Sequence, residues 1–576
     1  MRTLLLLMLA AAPWAWALAE HPVVEWIRAR AVRLRTAEAG HGFADLEPLK
    51  TVIGNARIVA LGEATHGTRE FFQLKHRMLE FLATQMGFTI FSIEANLPEA
   101  YRLNDFVLTG KGDAAALLRG LYFWTWDTEE VLDMILWMRR FNQSGRGRVE
   151  FTGFDIQTPT VAIENVRDFV AANDPDYAAT LRRASELASV AREQAFGVAT
   201  GSFPVPEAAG KRVRFSGYIK SEGLTRGWAG LWWRVDGASG VLAFDNMQDR
   251  GATGTSDWKR YALELPVAAG ARNINFGALH TGNGTAWFDG LTIELDEAPY
   301  AAKSSLDLDF ESATPRGFYT GGTGYRVQLD AEMFRSGKQS LRMRHLDTAP
   351  EDRPSVDPGA AASSWKEVVR RLETSGASYL SKGVASREIE WAVQNARVVL
   401  QGLQMRSGEV ARDRSMADNV KWILDRSPGA KIVLWAHNGH VSTGDFRGYE
   451  PMGASLRKIY GDQMVVFGFA FHQGSFQARN PGRELTNFTV PPAPPGSLDA
   501  MLAASGIPLL ALDLRRAPRS GPVAAWLAEP HKSRNIGAVY SDDNRDAYLG
   551  DLKAPRSFDA ILFVEKTTAA RKNPGR

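Results

Sequence analysis

The sequence predicts an α/β fold: a mostly parallel sheet with flanking helices, interrupted by an inserted antiparallel β-sandwich of the jelly-roll kind. Three observations carry that reading. Short, nearly continuous apolar runs alternate with helical patterns on both sides of the chain's middle, which is the texture of parallel strands buried on both faces. Helical periodicity disappears between about residue 197 and about residue 350. In that stretch, short alternating segments follow one another with Gly, Asn and Asp between them, as in an all-β sandwich.

Taken in order, residues 1–19 read as a cleavable secretory signal. Met1-Arg2-Thr3 precedes an apolar run from Leu4 to Ala12, and Ala17-Leu18-Ala19 is a small-residue cleavage site. The first part of the host domain, 20–195, holds the runs "RIVALGE" (57–63), "FTIFSIE" (88–94) and "VEFTGFD" (149–155). Between the first two, Phe71, Leu74, Met78, Phe81 and Leu82 recur at helical spacing. The insert, 196–355, contains "KRVRFSGYIK", "AGLWWRVDG", "RNINFGALH" and "AWFDGLTIEL", and resembles a carbohydrate-binding module. Its "LDLDFESATPRGFYTGG" piece resembles the opening strands of such a module yet comes late, so the order reads as circularly permuted. The host resumes over 356–576 with "KIVLWAH", "MVVFGFAFH", "PLLALDL" and "AILFVEK". The runs end at or near Glu63, Glu94, Asp155, His437, His472, Asp513 and Glu565. Ligands in open α/β sheets bind outside the carboxyl ends of the strands, so these endings are expected around one cleft.

Composition narrows the function classes. At 576 residues the chain is long enough for two or more domains, and 45% hydrophobic with 23% charged residues is a globular profile. A net charge of +3 without basic clusters among the aromatics argues against nucleic acid as a partner. No stretch after the signal reaches the roughly 20 apolar residues of a membrane span. With no cysteine there is no disulfide, thiolate nucleophile or thiolate metal site. A periplasmic or secreted location is expected.

The chemistry must then come from histidine and carboxylate. There is no G-x-S-x-G elbow and no phosphate-binding glycine loop after a strand. Three of the ten histidines lie in "GEATH" and "WAHNGH", just past predicted strands. A neutral imidazole held by a carboxylate is a competent general base near neutrality. Glu63 and Glu94, expected on neighbouring strands, can orient His66 or a water molecule. His437 and His440 stand three residues apart. Each residue alone has a structural reading: a loop histidine, a helix-capping glutamate. Their convergence on one side of one sheet favours the functional one.

The stretches "LGEATHGTREFFQLKHRMLEFL", "FSIEANLPEAYRLNDFVLTG", "FWTWDTEEVLDMILWMRRFN", "FTGFDIQTP", "ARDRSMADNVKWIL", "KIVLWAHNGHVS" and "FDAILFVEKTTAAR" resemble, in order, the motifs of the erythromycin esterase family. The resemblance implies a metal-independent hydrolase with no cofactor, which opens a cyclic ester with water activated by a histidine. On that basis His66 is the general base, with Glu63, Glu94, His437 and His440 around it and the "WAHNGH" loop supplying oxyanion donors. Lys75, Arg139, Asp155 and Arg412 are the expected substrate-binding residues. Asn142, Asp413 and Asn419 fall in similar motifs. Lys75 stands where macrolide-inactivating members carry Arg, and a point charge does not replace a planar fork. The compact esterases also lack an insert, so both departures speak against macrolide inactivation. The expected partner is a small-molecule or glycan-linked ester. Carbohydrate can stack on Trp228, Trp232, Trp233, Trp258 or Trp287 of the insert, about half of which should be core. Two rival readings follow from the same residues. One is a glycan-binding protein with an inactive esterase-like domain; the other is a metal-dependent hydrolase using the same imidazoles and carboxylates.

Overall fold

The apolar runs at the two ends of the chain form one sheet. In the computed structural model, residues 21–573 are described apart from 191–195, 238–239, 302–305, 323, 347–357, 409, 445–448 and 481–483. The expected signal peptide lies outside the described residues. The sheet comprises β1 (Val32–Arg33), β2 (Ile58–Leu61), β3 (Ile90–Asn96), β4 (Glu150–Asp155), β5 (Ile432–Trp435), β6 (Met464–Arg479), β7 (Leu485–Val490), β8 (Leu509–Asp513) and β9 (Ala560–Thr567). Their order is β1-β8-β9-β6-β2-β5-β3-β4, with β7 paired to the far half of β6. The centre is parallel, and every residue of β2 and β5 is buried, which explains runs with no polar alternation.

Two expectations change here. The sheet is mixed: β8 runs antiparallel to β9, with Asp513 opposite Ala560, and β1 and β7 are antiparallel too. Asp513 therefore faces the opposite end from Glu63 and holds Arg515 at 3.0 Å. A continuous apolar run reveals burial on both faces but not direction. Glu63 and Glu94 also do not follow adjacent strands, because β5 lies between β2 and β3, with Trp435 level with Leu61 and Ile93.

Helix α1 (Arg69–Met86) packs on the sheet through Phe71, Phe72, Leu74, Met78 and Phe81, all at most 1% exposed. Each such burial contributes roughly 1.5–3 kcal/mol. Phe72 meets Trp435 edge-on at 4.9 Å between ring centres, and Phe71 meets Phe469 at 5.2 Å. Gly87, in the left-handed region at φ 71°, ends the helix. Helices α2 (Leu97–Thr109), α3 (Glu129–Gln143) and α4 (Arg412–Asp425) complete the elements that matter for the site.

The chain divides into two compact units. The first takes the chain up to Asn165 and again from Ala411, and contains the mixed sheet. The second runs from Val166 to Val410. It contains an antiparallel sheet and the paired helices Pro358–Thr374 and Ser386–Arg406. That sheet is organised by a single strand, Arg212–Gly237. Its first half pairs with Ala252–Pro266 and Thr285–Leu295, and its second half with Asn273–Thr281. Inward side chains from both halves, among them Phe215, Ile219, Trp233 and Val235, share one apolar core. Of the five tryptophans, Trp228, Trp233 and Trp287 are core; Trp232 and Trp258 are half-buried.

Candidate active site

Glu63 follows β2 across Gly62 and turns its carboxylate fully into the protein. Lys75, in the second turn of α1, reaches Glu63 Oε2 with its Nζ at 2.5 Å. Trp435, at the end of β5, donates its indole N–H to the same oxygen at 2.6 Å. The ammonium also stands 4.4 Å from the Trp435 ring centre and 4.9 Å from that of Phe469. Glu63 Oε1 is left for His66 Nδ1, at 2.7 Å.

The charges follow from the partners. Burial alone would raise the Glu63 pKa, but Lys75 and His66 outweigh it and hold the carboxyl below its usual range. Burial pushes the Lys75 ammonium down to about 8, against the pull of Glu63. An ionised carboxylate only accepts, so His66 Nδ1 carries a proton toward Glu63, and in the neutral ring Nε2 is the nitrogen with the lone pair. The His66 side chain is 13% exposed, the most open member of this trio.

A second cluster lies at the ends of β3, β4 and β5. Arg412, the first residue of α4, donates from Nε and Nη2 to Asp155 at 2.9 and 2.7 Å, and from Nη2 to Glu94 at 2.7 Å. A cation at a helix amino end opposes the helix dipole, and the two carboxylates offset that cost. His440 places Nδ1 2.9 Å from Asp413 and Nε2 3.2 Å from Arg412 Nη1 and 3.4 Å from Glu94. Burial works to raise Glu94, but His440 and Arg412 hold it well below the carboxylate range. Burial likewise works to lower His440, but Glu94 and Asp413 raise it. Glu94 is aimed by a break in the β3–β4 register between Ile93 and Asn96. Gly153 permits that break, because a Cβ there would lie 2.2 Å from the Ala95 carbonyl oxygen.

His437 joins the clusters. Its amide donates to Glu94 Oε2 at 3.0 Å, and its ring centre is 5.0 Å from that of His66. Nδ1 accepts from the Gly439 amide at 3.2 Å, so Nε2 carries the proton and donates to the Ile536 carbonyl, also at 3.2 Å. Burial, with the neighbouring His66 and His440, pushes this imidazole down to about 3 and keeps it neutral.

The structure therefore gathers Glu63, His66, Lys75, Glu94, Asp155, Arg412, His437 and His440. Lys75 has no exposure and stands behind Glu63. Arg139 stands apart from them, donating to the Leu108 carbonyl at 2.7 Å, and Asn142 ties α3 to Val107 and Val149. Asn419 anchors α4 to the Phe154 carbonyl. Sequence reasoning passed over Trp435 and Asn438, though both stand in "LWAHNGH". Asn438 bonds Phe469 in both directions at 2.8 and 3.0 Å and so fixes the loop to β6. An indole at the end of an otherwise aliphatic strand was the available signal for Trp435. Among the described residues, no group of three or more His, Asp and Glu side chains is disposed to hold a metal ion. A cavity of about 490 Å³ lined by Gln73, His76 and Glu80 opens on a different face of α1 from Lys75 and shares none of these residues.

Fold and site together define an α/β protein with a buried histidine–carboxylate centre at the carboxyl ends of parallel strands. The family model described as erythromycin esterase matches residues 83–214 and 330–567, and the chain belongs to that family. It is 31% identical over 135 residues to erythromycin esterase type II of Escherichia coli, a match covering 23% of this chain and 31% of that protein. The chain spans about a third of the length of the curated relatives it matches. Solved structures share the fold at lower identity. A Bacillus cereus protein aligns with TM-score 0.59 and 21% identity, over 96% of this chain and 98% of its own. A mutant erythromycin esterase, EreC, in its open conformation aligns with TM-score 0.52 and 13% identity, over 93% and 97%.

Proposed function

We propose that the protein is an exported hydrolase that cleaves an ester, lactone or acyl ester, with water activated by His66. One observation carries the reading: His66 Nδ1 is fixed on an ionised, fully buried Glu63 at 2.7 Å, which leaves Nε2 as a basic nitrogen on a partly open side chain. Nε2 takes a proton from water as the oxygen attacks the carbonyl carbon. Glu63 stabilises the imidazolium that forms, and the proton then passes to the departing alkoxide. His437 stays neutral, so the positive charge facing the carbonyl oxygen comes from Arg412 and His440. Lys75 and Trp435 act on Glu63 and not on substrate.

On the same footing, the insert over 196–355 is a sandwich domain whose long strand serves both layers. Trp232 and Trp258 are its surfaces for a sugar ring. The expected substrate is a small-molecule or glycan-linked ester, and the expected location is periplasmic or secreted. A panel of p-nitrophenyl esters, lactones and acylated glycans, assayed in the exported fraction of expressing cells, should show hydrolysis. Binding on a glycan array with no turnover anywhere in the panel would replace the enzyme by a binding protein.

A further inference from the structure

A second feature of the sheet unit lies beside His437. A cavity of about 200 Å³ is walled by Val490, Pro491, Ile536, Tyr540 and Leu549, with Arg534 among its lining residues. Its size exceeds that of an engineered cavity of about 150 Å³ that admits benzene. Proline and aliphatic side chains make up much of the wall, but two polar groups in it are unsatisfied. Arg534 is 7% exposed; Nη2 donates to the Pro491 carbonyl at 2.5 Å, while Nε has no partner. The guanidinium lies 5.3 Å from the Phe471 ring centre, and among the described residues no carboxylate forms an ion pair with it. Asp499, the nearby buried acid, attracts the guanidinium only through space, and its oxygens accept the Arg534 amide and the Ser533 hydroxyl. Tyr540 is 1% exposed and its hydroxyl is likewise without a partner. The other charged lining residues, Arg545 and Asp546, are exposed, and Arg545 pairs with Asp542 at 2.9 Å.

Buried cations are ordinarily paired, and buried donors ordinarily bonded. A cation and a phenol left unsatisfied at one apolar cavity are complementary to an apolar group that ends in a carboxylate. The cavity is tied to the candidate site through one residue. The Ile536 amide donates to the Ala64 carbonyl at 2.8 Å, and its own carbonyl accepts from His437 Nε2 at 3.2 Å. We propose that this pocket binds a ring-sized or short-chain apolar arm bearing a carboxylate, and that the arm belongs to the substrate. The second half of that statement rests on the hydrolase reading.

Calorimetric titration of the full chain with benzoate and with its neutral counterpart benzyl alcohol tests the pocket. Hydrolysis of p-nitrophenyl hydrogen glutarate against p-nitrophenyl valerate tests the assignment to substrate. Benzoate should bind at least tenfold more tightly than benzyl alcohol, and kcat/KM should favour the glutarate ester by a similar factor. Arg534→Met should erase both preferences. Leu549→Trp, which fills the pocket from a half-buried wall, should weaken benzoate at least tenfold even if the first variant folds poorly. Equal binding of the two probes, or benzoate binding unchanged by both variants, would overturn the pocket even where esters are cleaved. Benzoate binding alongside two inert p-nitrophenyl esters would support the anion pocket and remove its assignment to substrate, while the hydrolase reading falls only if the whole panel of esters, lactones and acylated glycans is inert.

Discussion

Glu63 carries one negative charge and accepts from Lys75, Trp435 and His66, and this crowding sets the character of the site. Each donor lowers the energy of the ionised carboxylate, which in turn fixes the His66 tautomer without any contact to Nε2. Lys75 is the member whose loss has the most specific cost, because it leaves a buried carboxylate without its cation. Removing one partner of such a pair typically costs about 3–5 kcal/mol. Lys75→Met should therefore lower the unfolding free energy in urea by an amount of that order; a loss below about 1 kcal/mol would mean that Trp435 and His66 suffice for Glu63. Arg412 makes the same point from the other side, since its place at a helix amino end makes sense only with Glu94 and Asp155 beneath it.

At the scale of elements, the site depends on how closely β2 approaches the loop after β5. A Cβ on Gly62 would lie 2.2 Å from Asn438 Oδ1 and 3.2 Å from the Phe467 carbonyl oxygen. Gly62→Ala should displace Asn438 from β6 and carry His437 with it. Overpacking of this kind costs about 1–3 kcal/mol, and ester turnover should fall more steeply than the melting temperature. A variant with unchanged stability and rate would show that the loop is placed independently of β2. The same elements show what was legible in advance. Strand positions and their polar endings could be read because the parallel strands are buried on both faces and leave an unmistakable apolar run. Strand direction and order could not, since neither β8's reversal nor the insertion of β5 between β2 and β3 alters the residues of those runs. His66 and Glu63 were readable from a five-residue motif. Trp435 was not, because an indole in a buried strand looks like core until its N–H is found on a carboxylate. The strand Arg212–Gly237 of the second unit is not legible as one element, because its glycine-rich middle carries turn signals.

For the molecule as a whole, the buried histidines set its response to acid. Burial, aided by the nearby Arg140, pushes His76 down to about 3, and burial with His66 and His440 does the same to His437. Both stay neutral in the folded state, while the unfolded chain takes up protons below about 6.5. The unfolded state then binds more protons, so stability falls as the pH drops below that value, by up to about 1.4 kcal/mol per pH unit for each histidine. His440, raised by Glu94 and Asp413, contributes in the opposite sense: its stabilisation is present below about 6.5 and is lost as the pH rises through its folded value. Burial also pushes His280 down to about 4 and lowers His472, which adds to the first sense, while burial raises Glu99 to about 7 and Asp499 to about 6, so that these two acids take up protons in the folded state and side with His440. Four histidines against one histidine and two acids, urea unfolding should show lower stability at pH 5 than at pH 7; a flat profile would contradict that balance. The central claim is that His66 activates the water, and the most direct measurement is the rate of ester hydrolysis by His66→Ala beside the wild type, with near-ultraviolet circular dichroism confirming the fold. A loss of about 10²–10⁴-fold in kcat with an unchanged spectrum is the predicted result; a folded variant retaining a rate within a few-fold of wild type would remove His66 from the chemistry.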